Sequence, residues 1–176
     1  MRIDRWLWAV RLYKTLGVAV AVRGADGSYA MRFAGIIPML DPPRDDTKWV
    51  IEQLKACGIA VKMITGDHQN IAAETARLIG LGDQIQRRDA LNMRECAEKD
   101  MVVRDADGFA QVLPKDKNDV VKVLQSMNYI VGMTGDGVND APALKQAHIG
   151  IAVEGSTDAA RNAADIVLTT EGLAPI

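Results

Sequence analysis

Short apolar runs that alternate with helical segments constrain the fold of this chain most strongly. From residue 45 onward, four runs have little of the polar alternation of a half-exposed strand. They are residues 59–65, 129–134, 149–153 and 165–170. Runs of this kind, each separated by a helix, are typical of parallel sheets covered on both faces. The sequence therefore predicts an α/β fold with a parallel sheet and helices on both of its faces.

The segments between these runs have helical spacing and recognisable ends. Gly58 and Gly80 follow two of them as C-terminal caps, and Pro114 stands in the first turn of a third. The pattern gives no assignment for residues 81–100. The predicted helices are residues 46–57, 69–79, 114–128, 139–147 and 156–164.

The sequence pattern before residue 45 differs from that of the rest of the chain. Two β-rich runs, residues 16–22 and 31–37, are joined by a loop with two glycines and an aspartate, which indicates a β-hairpin. The stiff segment "DPPR" that follows indicates a hinge. The predicted organisation is a stub (residues 1–15), a hairpin (16–40) and an α/β domain (41–176).

Composition and charge argue against several classes of function. The 176 residues carry a net charge of −2, whereas a domain devoted to nucleic acid is usually basic. No apolar run approaches the roughly 18 residues needed to span a bilayer, and the charged first turn does not suit a signal peptide. Cys57 and Cys96 are too far apart for a metal-type pair. We expect a soluble chain without specific nucleic-acid binding.

Two similar loops, "TGD" at 65–67 and "TGDGVND" at 134–140, follow two of the predicted strands. Ligands of parallel sheets bind at the carboxyl ends of strands. Thr65 could donate a hydrogen bond to a phosphoryl oxygen, and the carboxylates of Asp136 and Asp140 suit Mg²⁺. The alternative is that these aspartates only cap helices. Two such loops at matching positions favour a site for phosphate and magnesium.

Lys117 lies at the start of the predicted helix between the two loops. A lysine there can neutralise charge that develops on a transferred phosphoryl group. The alternative is a solvated surface lysine within the charged stretch "KDK".

Four long stretches resemble the phosphorylation domain of P-type cation-transporting ATPases. Their sequences are most similar to those of plasma-membrane proton-exporting pumps. They are "DPPRDDT", "VKMITGD", "DADGFAQVLPKDKNDVVKVLQ" and "MTGDGVNDAPALKQAHIGIAVEGSTDAARNAADIVLT". The resemblance covers about residues 16–176. It implies a haloacid-dehalogenase-like Rossmannoid fold, with the hairpin as a remnant of the nucleotide-binding domain.

The resemblance also implies roles, with Mg²⁺ and ATP as cofactors. Thr65 and Lys117 would be catalytic, and Asp136 and Asp140 would hold the metal. The implied nucleotide and phosphate side consists of Asp41, Arg44, Gly66, Asp67 and Asn139. In the family this domain lies on the cytoplasmic side of an integral membrane protein, so the implied partner is the remainder of such an ATPase.

The family's nucleophilic aspartate stands in the sequence DKTGTL, which is not present in these 176 residues. Without it, phosphoryl transfer to an aspartate cannot occur, so we expect a fragment that keeps the Mg²⁺ and phosphate site but is inactive alone. The family's nucleophile strand lies between the strands that precede the two loops. We therefore expect strands 59–65 and 129–134 to pair directly, or residues 17–22 to fill the slot; the local hairpin is the preferred partner for 17–22.

A second hypothesis makes the chain a phosphatase of the same superfamily. In "MVVRDADG", Asp105 would be the nucleophile at the end of an apolar strand and Asp107 the acid and base. Against this, the segment follows the "TGD" loop, and a nucleophile strand should precede it.

A third hypothesis is a non-catalytic binding module. The first 15 residues resemble the opening of an S4-type RNA-binding domain, with Ile3, Trp6, Leu7 and Val10 on one face of a helix. The match is too short for a complete module, and an amphipathic cap on the fold is the alternative.

Overall fold

The computed structural model describes residues 13–92 and 96–176, and the chain divides into two compact units, Met1–Pro42 and Pro43–Ile176. The S4-like helical face predicted for Ile3 to Val10 lies outside the described residues. Residues 13–15, the end of the predicted stub, already belong to a strand. Within the described ranges, every helix is too short or too polar to cross a bilayer.

The described part of the first unit is an antiparallel hairpin of β1 (Tyr13–Arg23) and β2 (Tyr29–Leu40). Its turn closes through a 2.7 Å hydrogen bond from the Gly24 amide to the Ser28 carbonyl oxygen. Asp26 Oδ1 accepts from both the amide and the hydroxyl of Ser28. Gly27 has φ +83°, a conformation that favours glycine. The glycine-rich loop therefore turns the chain as its composition predicts.

The second unit alternates short strands with helices. In chain order its elements are α1 (Thr47–Ala56), β3 (Met63–Ile64), α2 (Gln69–Leu78), β4 (Ile85–Arg87), a 3-10 helix (Arg88–Asn92), α3 (Cys96–Asp105), β5 (Gly108–Ala110), α4 (Pro114–Ser126), β6 (Gly132–Gly135), a second 3-10 helix (Val138–Asp140), α5 (Ala141–Gln146), β7 (Ile149–Ala152), α6 (Asp158–Ala163) and β8 (Ile166–Val167). All its strand pairs are parallel. The predicted α/β class with parallel strands is confirmed.

The strands of this unit form two sheets with the orders β3-β5-β4 and β6-β7-β8. β3 and β6 are therefore edge strands, and no described strand lies between them. Residues 17–22 pair with β2, so the preferred hairpin is confirmed. The expectation that β3 and β6 pair directly is wrong. It assumed that unpaired backbone groups would be buried, but Gly132 and Thr134 on β6 are exposed, so water can bond to them.

Helix α4 packs against both sheets. Val120 belongs to a buried cluster with Phe109 of β5, against which Ile64 of β3 also packs. The next residue, Val121, belongs to a second cluster with Val131, and Met133 of β6 packs against it. One helix thus supplies core contacts to two sheets that share no ladder.

Residues 101–105 form the end of α3, where the phosphatase hypothesis required an apolar strand. Val103 is fully buried, whereas Met101 is half exposed. The strand placement of "MVVRD" is therefore wrong; in these described residues the apolar side chains serve one face of a helix.

Removal of the Phe109 ring tests the shared core. Phe109 is completely buried, so Phe109→Ala is expected to lower the free energy of unfolding by about 3–5 kcal/mol. Ile130→Ala is the control, because that side chain is 80% exposed and its loss should change stability by less than about 0.5 kcal/mol. Urea denaturation measures both, and equal losses in the two variants would contradict this assignment of the core.

Candidate functional site

The Thr65 loop is fixed to the segment that leads into α4. The Thr65 amide donates to the Phe109 carbonyl oxygen at 2.9 Å, and the Val112 amide donates to the Thr65 carbonyl oxygen at 3.1 Å. The Thr65 hydroxyl accepts from the Asp67 amide at 3.1 Å, so its own proton can still be donated to a ligand oxygen. The hydroxyl is thus held at the carboxyl end of β3.

The second loop folds around the carboxylate of Asp140. Oδ2 of Asp140 accepts from the amides of Asp136 and Gly137 at 3.3 and 3.2 Å. Gly135 permits this arrangement, because a Cβ there would lie 2.5 Å from the Cβ of Asp140. The Asp136 carbonyl oxygen accepts from the Thr157 amide at 2.8 Å, which ties the loop to the start of α6. The loop is therefore organised by its own last aspartate.

Lys117 of α4 makes a direct contact with the second loop. Its Nζ lies 2.5 Å from Oδ1 of Asp140, and the two side chains are 19% and 7% exposed. Burial by itself raises the pKa of Asp140, but the Lys117 ammonium and the two loop amides outweigh it, so that the pKa lies below its ordinary value. Asp140 is thus held ionised by a lysine from the neighbouring helix.

A buried ion pair that the sequence reasoning missed fixes the first turn of α4. Asp116 Oδ2 accepts from the Leu113 amide at 2.7 Å and from Nε of Arg88 at 2.6 Å. Asp116 is only 3% exposed. An acidic residue three positions after the helix cap, beside Pro114, is the signal that could have revealed the cap. No local sequence pattern indicated that Arg88, 28 residues upstream, would be its partner.

The two predicted metal ligands differ in availability. Both oxygens of Asp140 are occupied by the contacts above, whereas the exposed Asp136 carboxylate has no hydrogen-bond or ion-pair partner within the described residues. No cluster of three or more potential ligands among histidine, cysteine, aspartate and glutamate occurs in the described ranges. Mg²⁺ usually takes one or two carboxylates and completes its shell with water and phosphate. The donor set fits Mg²⁺ with Asp136 as the accessible ligand.

The other predicted site residues lie around these loops or apart from them. Gly66 and Asn139 are exposed, and the Asp67 carbonyl oxygen accepts from the Gln111 amide at 2.9 Å. Asp41 belongs to the first unit and Arg44 to the second, and both are exposed. Within the second unit, therefore, the structure shows Lys117 in contact with Asp140 and the Asp136 amide bonded to the same carboxylate, while Thr65 is bonded to Val112 in the segment that leads into α4.

Asp105 lies at the opposite end of its sheet from Thr65. It ends α3 and pairs with Arg104 at 2.7 Å, just before the start of β5. Asp107 Oδ2 accepts from the Gln84 amide at 2.9 Å. Because parallel strands place their carboxyl ends together, the amino end of β5 is remote from the Thr65 loop. The assignment of Asp105 as a nucleophile in this site is wrong.

Comparison with known proteins identifies a family and relatives of similar sequence. The sequence profile of the haloacid dehalogenase-like hydrolases matches residues 2–148. The chain is 48% identical over 173 residues to plasma membrane ATPase 1 of Saccharomyces cerevisiae and 48% identical over 174 residues to the plasma membrane ATPase of Neurospora crassa. It is 46% identical over 178 residues to the plasma membrane ATPase of Dunaliella bioculata.

Each of these matches covers 96% of this chain but only 16–18% of the relative. The chain therefore spans less than a fifth of the length of these three relatives. The family profile begins at residue 2, within the segment that resembles an S4 domain. That S4-like segment stays a prediction.

The Lys117–Asp140 pair gives a test of the site's electrostatics. Lys117→Met leaves the carboxylate of Asp140 buried without its cation, so we expect a loss of about 3 kcal/mol at pH 7 and a rise in the pKa of Asp140. In the unchanged chain the contribution of Asp140 is present above its unfolded pKa of about 3.9 and is lost as the pH falls through the lower folded pKa. Carboxyl NMR titration and denaturation at several pH values measure both effects.

Lys115→Met is the matched control, because Lys115 lies in the same turn but is exposed. It should change stability by less than about 0.5 kcal/mol. An unaltered Asp140 titration in Lys117→Met would refute the pairing.

Proposed function

The chain belongs to the haloacid dehalogenase-like hydrolase family, and we propose that it is the Mg²⁺- and phosphate-binding part of the catalytic region of a P-type cation-transporting ATPase. Its identity of 46–48% to three plasma membrane ATPases over 96% of its length supports this function. The proposed nucleotide is ATP, and the proposed cargo is a proton. The proposed location is the cytoplasmic face of a membrane protein.

The observation that carries the proposal is the direct contact of Lys117 with Asp140. It connects helix α4, which follows the residue Val112 that is bonded to Thr65, to the loop that bears both aspartates. A carboxylate kept ionised beside a cation forms a suitable environment for a divalent ion with a phosphate group.

Each side chain has a distinct part in this function. Thr65 donates its hydroxyl proton to a phosphoryl oxygen, and Lys117 offers positive charge to the same group. Asp136 would hold Mg²⁺, and Asp140 would be the second carboxylate available to it. When bound, Mg²⁺ neutralises phosphate charge and orients the group. Gly135 lets the loop backbone approach Asp140, since a Cβ there would lie 2.5 Å from the Asp140 Cβ.

Metal binding should depend on Asp136. We expect weak Mg²⁺ binding by the 176-residue chain, and Asp136→Asn should reduce the affinity by at least about tenfold, since changes even to groups behind metal ligands cost 10- to 100-fold. The control is Glu154→Gln, which removes another exposed carboxylate of the same unit. Calorimetric titration decides, and equal affinities in all three proteins would rule out the metal assignment.

The isolated chain should not become phosphorylated. The DKTGTL segment is not part of these 176 residues, so no acyl-phosphate should form on incubation with ATP and Mg²⁺. Labelled ATP followed by an acid quench measures this. Stable label that requires Mg²⁺ and disappears in Asp105→Asn would restore the phosphatase hypothesis.

A further inference from the structure

We propose that the outer edge of β1 pairs with the same strand of a second copy of this chain, so that two hairpins form one four-stranded antiparallel sheet with the order β2-β1-β1-β2. The proposal concerns the first unit alone and is independent of the proposed function. It rests on the difference between the two edges of the hairpin and on the self-complementary pattern of residues 15–23.

The hairpin exposes a large apolar surface. Its two strands form a sheet of their own, to which no other strand of the described ranges is bonded. Leu16, Val20 and Val22 are each about half exposed, and Met31 and Phe33 are 72% and 67% exposed. A two-stranded hairpin alone is marginally stable in water, and three or more strands give a stable sheet. Additional strands would therefore stabilise this unit.

The outer edge of β2 is protected against the addition of a strand. Sheets block their exposed edges with charges, prolines and bulges. β2 contains Arg32 and Pro38. Its register with β1 shifts between Val18 and Ala19, which leaves Ala34 as an extra residue that bends the strand. β2 therefore carries all three of these features.

The outer edge of β1 has none of them. Residues 15–22 contain no charge and no proline, and the extra residue of the bulge belongs to β2. The Gly24 amide donates to the Ser28 carbonyl oxygen, on the β2 side. Because backbone directions alternate along a strand, the backbone groups of the odd-numbered residues from 15 to 21 point to the outer edge. β1 thus offers an unblocked row of donors and acceptors.

The sequence of β1 is self-complementary about Ala19. In an antiparallel pair with a twofold axis at this residue, Ala19 lies opposite its own copy, and Gly17 lies opposite the second copy's Ala21. All three residues have backbone groups on the outer edge, so they supply the hydrogen bonds of the new ladder. Their small side chains leave room for the two strands to approach.

The other face of the same pairing is apolar. It places Val18 opposite the second copy's Val20, and Leu16 opposite the second copy's Val22. Cross-strand pairs of β-branched and other apolar side chains stabilise a sheet. Because the axis is twofold, each copy gains the same contacts.

The charges near β1 are compatible with this register. Like charges directly opposite each other destabilise a sheet. Arg23 lies opposite the second copy's Thr15, and Lys14 lies on the other face of the sheet. The two Arg23 residues are about 27 Å apart along the strands, beyond the screening length of about 8 Å at physiological salt. No pair of like charges therefore opposes the second copy.

The pairing closes at two copies. Once both β1 edges are paired, the outer edges of the four-stranded sheet are the two β2 strands. Their bulge, Arg32 and Pro38 oppose further addition. We therefore expect a closed twofold dimer and not a fibre.

Sedimentation equilibrium of the 176-residue chain over a wide concentration series tests the pairing. We expect the mass to rise with concentration from the 19.1 kDa of one chain to twice that value and no further. A single chain at every concentration would overturn the proposal and leave the edge to a segment of another kind. Growth beyond two copies would contradict the protection assigned to β2.

Charges on the twofold axis test the register. Ala19→Lys and Ala19→Glu each put like charges directly opposite each other, so each variant alone should weaken the dimer by at least about tenfold. An equimolar mixture should restore the dimer as a mixed pair, which native mass spectrometry distinguishes from the two homodimers. Circular dichroism of each variant reports that the chain is folded.

Ala30→Lys is the matched control, because it adds the same charge at an exposed position of β2, away from the paired edge. It should leave the dimer unchanged. Dimers that persist undiminished in Ala19→Lys would contradict the pairing of β1 with β1. A mixture of the two folded Ala19 variants that stays monomeric would do the same.

Discussion

The packing of helix α4 between two separate sheets is the constraint on which the second unit depends. Val120 and Val121 bind the helix to both hydrophobic clusters, and Phe109 fills one of them completely. Because this contact is made by side chains, the sheets need no shared ladder to stay adjacent. The same packing fixes the first turn of the helix, which contains Lys117, one of the predicted catalytic residues.

The site follows from the position of that first turn. Asp116 caps α4 and pairs with Arg88, and this arrangement directs the next residue, Lys117, to Asp140. Asp140 in turn organises the amides of its own loop, so a single carboxylate serves both structure and electrostatics. Asp136 remains accessible beside it. A site of this design has its positive charge already in place before any phosphate group arrives.

Local patterns in the sequence determined most of the fold, and the remainder depended on distant contacts. Apolar runs and glycine caps predicted the parallel α/β class and the helices on either side of the two loops. The pattern failed for residues 81–105, where strand β4 is only three residues long and α3 is mostly polar. The motif also identified Lys117 and Asp140 separately, but their direct contact, and hence the limited availability of Asp140 for metal, depends on how α4 packs.

Simultaneous binding at both loops is the most direct test of the account. Amide chemical shifts should be followed while Mg²⁺ and inorganic phosphate are added together to the 176-residue chain. If the loops form one site, the amides of residues 65–67 and 135–137 will shift with a single common titration curve. A response confined to one loop, or two curves with separate midpoints, would contradict the claim that Lys117 and Asp140 unite them.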